Sequence, residues 1–308
     1  WCCEISGPDV WGALHWISRI ENKQDHFWPC FFMRCYGMNI VEIKKILSQE
    51  PSQEELTIIA SDERLGVQKL YAAYERKIEA AIREKERFDK MLTFEKEYWQ
   101  QGIRNVAGVD EAGRGPLAGP LVVASVILPE NIFISGLNDS KQLSAKIRER
   151  LYDEVCQTAV SIVMNIVSVA EIDQYNIYQA TKLSMEKVVM HLNPKPAVAL
   201  IDAMPVEAKD VKTIPLIHGD ALSASIAAAS IIAKVTRDRI MLDLDKEYPE
   251  YDFASNKGYG SQKHMEAIKK YGATLWHRRS YEPIKSLPAE LLSVEVDDKS
   301  KLIVLKQQ

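Results

Sequence analysis

Two adjacent carboxylates, Asp110 and Glu111, run directly into a turn of two glycines and one arginine in the stretch VDEAGRGPLAGP. Two further acids occupy comparable places: Asp202 closes the apolar run AVALID, and Asp220 follows TIPLIHG, just before a helical pattern that begins near Ser223. Strand ends that meet helix starts are where α/β folds assemble their sites. Acids gathered at one such place repel each other unless something positive neutralises them. Mg2+ and Mn2+ are hard ions that prefer carboxylate and water ligands. Two of them about 4 Å apart can activate a water and stabilise the leaving oxygen in phosphodiester hydrolysis. Asp110, Glu111, Asp202 and Asp220 are therefore the candidate catalytic and metal-binding residues. Three of them also have a plainer role: Asp220 as a helix N-cap worth about 1 kcal/mol, Asp202 as a turn residue, Glu111 as the partner of Arg114. Neighbours on a strand point to opposite faces, so Asp110 and Glu111 reach one point only where the backbone turns, which Gly113 and Gly115 permit.

Three other chemistries fit the same stretches less well. Gly113, Gly115 and Ala118 satisfy GxGxxA after a strand, but a dinucleotide fingerprint needs a helix to follow. Here Pro116, Pro120 and the β-rich LVVASVIL follow instead. Gly108 to Gly113 has P-loop spacing, yet Arg114 and Gly115 stand where lysine and a hydroxyl are required. HGDALS holds Ser, His and Asp without a nucleophile elbow.

The acids need elements to hold them. IRNVAGVD reads as a strand, LVVASVILP as a second, VSIVMNIVSV as a third, and AVALIDA and TIPLIH as shorter buried strands. Helical patterns occupy 144–159, 170–192, 223–248 and 261–271. Three early strands followed by alternating helices and strands imply an α/β fold with a mixed central sheet flanked by helices. The small residues of SIAAASIIA let that helix lie close to the sheet and hold Asp220; the run is too short to span a bilayer. The catalytic domain is expected over 102–285, preceded by a helical extension over 38–101 and followed by a tail, 286–308, with no assigned element. Ser52 with Glu55 marks a capping box inside the extension. Residues 1–37, rich in Trp, have no initiator Met and look foreign to the rest; Met38 reads as a natural start and the preceding segment as upstream or non-native. It lacks the basic and apolar regions of a signal peptide.

Across 308 residues the hydrophobic share is 46%, the charged share 27% and the net charge −4. That balance allows a sizeable core and is neutral about partners, because a local basic groove can coexist with an acidic total. No run approaches the roughly 18 to 20 apolar residues of a membrane span. Beyond Cys2, Cys3, Cys30 and Cys35 only Cys156 remains, in an apolar helical pattern that makes it a core residue. No zinc-ligand spacing occurs, and the cysteine-poor body suits a reducing, cytoplasmic compartment.

VDEAGRGPLAGPLVVASVIL, NDSKQLS, LIDA, HGDALSASIAAASIIAKVTRDR and NKGYGS, taken together over 106–281, resemble bacterial type 2 ribonuclease H, the ribonuclease HII family. The helices from Met38 resemble the extension of some members; residues 1–37 match nothing in it. The resemblance implies an RNase H-like fold and endonucleolytic cutting of RNA in RNA–DNA hybrids. It further implies incision 5′ of single ribonucleotides in duplex DNA, leaving 3′-hydroxyl and 5′-phosphate ends. Under it, Asp110, Glu111, Asp202 and Asp220 bind Mg2+ or Mn2+, with two ions in the substrate complex. Gly113, Arg114 and Gly115 read the ribonucleotide's 2′-hydroxyl and adjacent backbone. Tyr259 stacks at the sugar of the DNA residue after the junction, Lys141 contacts a phosphate, and Ser223 or Ser225 is a further phosphate candidate. The hydroxyl is what distinguishes RNA from DNA, and the planar fork of Arg114 suits phosphate. Tyr259 as a half-buried core tyrosine and Lys141 as a solvated charge are the plainer alternatives. The partners are hybrid or ribonucleotide-containing duplex, with no membrane and no protein partner identified, and a monomer is expected. The type 3 relative shares the acids but differs in the GRG turn and the N-terminal domain; a non-catalytic hybrid-binding protein would have lost an acid.

Overall fold

The computed structural model describes residues 38–292 and 301–307; the expectation for 1–37 lies outside the described residues. The chain divides into two compact units between Arg87 and Phe88. In the first, α1 (Ile40–Ser48) and α2 (Gln53–Ala60) each start from a capping box, Asn39 with Glu42 and Ser52 with Glu55. There the side-chain oxygen satisfies an orphan N–H of the first turn. With the first part of α3 (Leu65–Met91), they enclose a small core of Ile43, Ile59 and Val67.

The second unit opens on α4 (Thr93–Gln100) and continues through β1 (Val106–Ala112), β2 (Leu121–Ile127), α5 (Ala145–Thr158), β3 (Ser161–Val167), α6 (Val169–Met190), β4 (Val198–Asp202) and β5 (Lys212–Leu216). It then runs through α7 (Gly219–Leu222), α8 (Ala224–Glu247), α9 (Phe253–Asn256), α10 (Gln262–Tyr271) and β6 (Lys301–Gln307). The strands form one six-stranded sheet in the order β5-β4-β1-β2-β3-β6. β1, β2, β3 and β6 pair antiparallel in sequence, whereas β4 lies parallel to both β1 and β5. This is the mixed sheet that the strand–helix alternation predicts.

β2 shows why the sheet needs cover on both faces. Its residues are buried throughout. Val122, Ala124 and Val126 pack with the alanines of α8, while Leu121, Val123 and Ile127 pack with Ile172, Met185 and Val188 of α6. That division follows the two-residue period of a strand. β1 meets α8 most closely at Gly108, where an added Cβ would lie 2.0 Å from the Ser225 carbonyl carbon. The absent side chain lets the first turn of α8 rest on the strand that carries Asp110. As expected, the small residues of α8 face the sheet, with Ala224, Ala227, Ala228 and Ala229 buried.

Two details differ from expectation. β5 is a partly exposed edge strand rather than a buried one, and Pro215 is tolerated there because an edge leaves one side of the ladder unpaired. The tail contributes β6, which pairs with β3 and completes the sheet. The helix expected over 223–248 is α8, Ala224–Glu247; the short α7 ends before it at Leu222, and Ser223, extended at φ −127 and ψ 127, caps it. Among the described residues no helix is long and apolar enough to cross a membrane.

Candidate active site

The ends of β1 and β4 on one side of the sheet, with the short α7, carry the acids. β1 and β4 are parallel neighbours, so Asp110 and Asp202 emerge at the same edge, and α7 places Asp220 beside them. β1 does not turn between Asp110 and Glu111; it runs to Ala112, and the bend comes at Gly113 with φ +102. Asp110 is buried, and its Oδ1 accepts the Glu111 N–H at 2.7 Å. Asp202 Oδ1 accepts the Gly219 N–H at 2.8 Å, tying the end of β4 to the start of α7.

Electrostatics join the four acids into one site. Burial, then the charges of Glu111 and Asp202, push Asp110 well above the ordinary carboxylate range. Burial also raises Glu111, with Asp202 adding and Arg114 opposing. Asp220 is raised by burial, then by Asp139 and Asp202, against the pull of Lys141. Asp139 is thus a fifth acid at the site, which the sequence reading missed; its only signal was its place beside Lys141 in NDSK. Two cations answer this charge. Lys141 Nζ stands 3.9 Å from Asp220 and Arg114 Nη1 3.5 Å from Glu111. Burial works against the Lys141 charge, but Asp110, Asp220, Asp139 and Asp202 outweigh it and hold its pKa up. Among the described residues, no three His, Cys, Asp or Glu side chains already stand as a cluster that could hold a metal ion.

Arg114, Gly115 and Tyr259 form the adjoining surface. Tyr259 is 53% exposed, so it is no core tyrosine. A Cβ on Gly115 would lie 3.4 Å from its ring. The Tyr259 loop is bound to the turn through the Leu117 and Ala118 N–H groups, which both donate to the Gly258 carbonyl. Beneath it lie His264 and His277, with Nε2 atoms 3.0 Å apart. His264 Nδ1 faces the Tyr259 carbonyl and must donate, while His277 Nδ1 accepts the Thr274 N–H. The bond between the rings therefore runs from His277 to His264, both neutral.

Ser223 corrects an expectation. It is fully buried, donates to Glu95 Oε1 at 2.6 Å and accepts the Ile226 N–H as the N-cap of α8. Ser225 is equally buried, and its N–H donates to the same Glu95 oxygen. A phosphate contact needs an exposed hydroxyl; here the Ser223 hydroxyl and the Ser225 N–H instead fix the helix that follows Asp220. Cys156 packs against the core, and burial raises its thiol pKa, as suits an inert side chain.

Known proteins are similar to this chain in sequence and fold. Residues 107–283 match the family model described as Ribonuclease HII, and residues 39–99 match the Ribonuclease HII N-terminal domain. The ribonuclease HII of Desulfitobacterium hafniense (strain DSM 10664 / DCB-2) is 48% identical over 248 residues, covering 80% of this chain and 95% of that protein. That of Lactobacillus johnsonii is 48% identical over 247 residues, covering 80% and 98%. The crystal structure of the ribonuclease H2 from Pyrococcus horikoshii OT3 superposes with a TM-score of 0.53 at 31% identity, over 59% of this chain and 96% of that one. Sharing the profile from β1 to Pro283, the N-terminal domain and the fold, this chain belongs to the ribonuclease HII family and is a ribonuclease H hydrolase.

Proposed function

We propose that the chain hydrolyses the RNA strand of RNA–DNA hybrids and incises 5′ of single ribonucleotides in duplex DNA, using Asp110, Glu111, Asp202 and Asp220 around divalent metal. The observation that carries this is the coupling of acids at the ends of β1 and β4 and in α7, with Asp202 raising each of the other three. Such a set is an all-oxygen, hard donor group with surplus negative charge, which fits Mg2+ or Mn2+ and suits no soft metal. When bound, two ions would supply a nucleophilic water and charge stabilisation for the departing 3′-oxygen.

The chain's own residues do the rest. Asp110, held by the Glu111 N–H, and Asp202, held by the Gly219 N–H, keep their carboxylates directed without help from substrate. Arg114 and Lys141, both exposed beside the acids, attract and seat the phosphodiester backbone. Gly113, Arg114 and Gly115 read the 2′-hydroxyl, and Tyr259 offers a flat face to the neighbouring sugar. Water adds at phosphorus, the P–O3′ bond breaks, and the products are a 3′-hydroxyl and a 5′-phosphate. The type 3 alternative is disfavoured by the GRG turn and by the match to the ribonuclease HII N-terminal domain.

The test is cleavage of an end-labelled duplex with one ribonucleotide, with and without Mg2+ or Mn2+. A nick 5′ of the ribonucleotide that vanishes on chelation is expected. Asp110→Asn should lower the rate by more than about a thousandfold while hybrid binding persists; cutting at the wild-type rate overturns the metal-site assignment.

A further inference from the structure

The reading turn is built around two arginines from distant parts of the chain. Arg237, in α8, and Arg278, after α10, are 1% and 0% exposed. Neither forms an ion pair with a carboxylate among the described residues. A buried cation needs compensation, and backbone carbonyls of the turn supply it. Arg237 donates to the carbonyls of Pro120 at 3.0 Å, Ala118 at 3.0 Å and Lys257 at 2.9 Å. Arg278 uses its whole fork: Nε and Nη2 both donate to the Gly119 carbonyl, at 3.1 and 2.9 Å. Nη2 also reaches the Gly113 carbonyl at 2.5 Å, and Nη1 reaches the Arg114 carbonyl at 2.9 Å and the Tyr281 hydroxyl at 3.2 Å. That accounts for every N–H a guanidinium has. Tyr281 in turn donates its hydroxyl to the Arg114 carbonyl at 2.7 Å.

The glycines follow from this arrangement. A Cβ on Gly113 would lie 2.2 Å from Arg237 Nε, and one on Gly119 would lie 2.4 Å from Met241 Sδ and 3.2 Å from Arg237 Nη2. Peptide geometry then fixes the outer face. In a trans peptide the C=O and N–H point in opposite directions. With the Gly113 and Arg114 carbonyls turned in to Arg278, the N–H groups of Arg114 and Gly115 turn out, and neither meets an acceptor among the described residues. Adjacent outward N–H groups over a buried positive charge form a concavity that favours oxygen acceptors and anions.

We propose that Arg278, seated beside Arg237, is a positioning residue for ribonucleotide recognition: it orients the turn so that the Arg114 and Gly115 N–H groups face the ribose hydroxyl and its phosphate. The proposal rests on the ribonucleotide-incision reading above. Arg237, though lowered to about 10 by burial and by the neighbouring Arg278, stays protonated at neutral pH and keeps the base of the turn positive. Lysine cannot replace Arg278, because an ammonium is a point donor without the planar fork.

The experiment measures kcat/KM for the wild type, Arg278→Lys and Tyr281→Phe. The substrates are a duplex with one ribonucleotide and a hybrid with a long RNA tract, and circular dichroism checks folding. A lone ribonucleotide offers one hydroxyl in one register, whereas a long tract offers many. Arg278→Lys is expected to lose about tenfold or more on the lone ribonucleotide and several-fold less on the long hybrid. Tyr281→Phe should shift the ratio the same way by a few-fold, and it decides the matter should the lysine variant not fold. Equal losses on both substrates, or an unchanged ratio in Tyr281→Phe, would overturn the proposal and assign Arg278 to fold stability alone. A wild type that cuts the long hybrid but leaves the lone ribonucleotide intact overturns the incision reading beneath it.

Discussion

The structure sets Arg114 and Tyr259, which come from two loops, on one surface beside Gly115. Arg114 holds its guanidinium 3.5 Å from Glu111 in a half-exposed pair, an arrangement that contributes little to stability in water and leaves the fork available for phosphate. Tyr259 is exposed without a hydrogen-bond partner for its hydroxyl among the described residues, which suits a stacking face. Replacing either by alanine is expected to lower kcat/KM on the one-ribonucleotide duplex by about tenfold, with a smaller loss on long hybrids. Parallel assays on the two substrates check this; equal losses would remove both residues from junction reading. The family resemblance nominated these two residues. Residue types could not nominate Arg278, because a buried arginine bonded to carbonyls has no local pattern to betray it.

At the scale of elements, the start of α8 and the loops after α10 carry the polar connections that hold the site. Ser223 caps α8 and donates to Glu95, whose carboxyl is buried and raised in pKa chiefly by that burial. Ser223→Ala removes the cap and leaves Glu95 with one donor fewer, an expected loss of about 1–3 kcal/mol in urea unfolding. The His264–His277 pair gives a pH signature. Burial, then His264, depresses His277 to about 3, and burial lowers His264 as well. In the unfolded chain both rings take up protons near 6.5. Stability is therefore complete above about pH 6.5 and is lost as pH falls from there toward 3, at up to about 1.4 kcal/mol per pH unit for each proton. His277→Gln should flatten this slope in urea melts between pH 4 and 7; an unchanged slope would show that the pair is not the titrating element.

For the molecule as a whole, the helical extension read as residues 38–101 contains parts of two compact units. Phe88, Leu92, Tyr98 and Trp99 pack in the cores of the second unit, and Glu95 anchors α8 within it. A chain beginning at Phe88 is expected to melt cooperatively, whereas one beginning at Gly102 loses those core groups and should fail to fold. Thermal unfolding of the two truncations checks this, and equal melting of both would contradict the packing. The edge strand β6 belongs to the same scale. Its partner β3 lies more than a hundred residues earlier in the sequence, and the short apolar run of the tail shows nothing locally about which edge it will join.

What the sequence determined by itself is the part written in local pattern. The apolar runs set β1 to β4, the Ser52–Glu55 capping box set α2, and four acids at strand or helix ends nominated a site for a hard metal and a phosphodiester. Residue type and period are enough for these, since each depends on neighbours a few positions away. Tertiary structure alone decided which side chains are spent on the fold. It buried Ser223 and Ser225 under Glu95, added Asp139 to the acids, and wrapped the glycine turn around Arg237 and Arg278. The physical reason is desolvation: a buried polar group must find a partner wherever the chain can bring one. Here the Glu95 partner of Ser223, the Ala118 partner of Arg237 and the Gly113 partner of Arg278 each lie more than a hundred residues away.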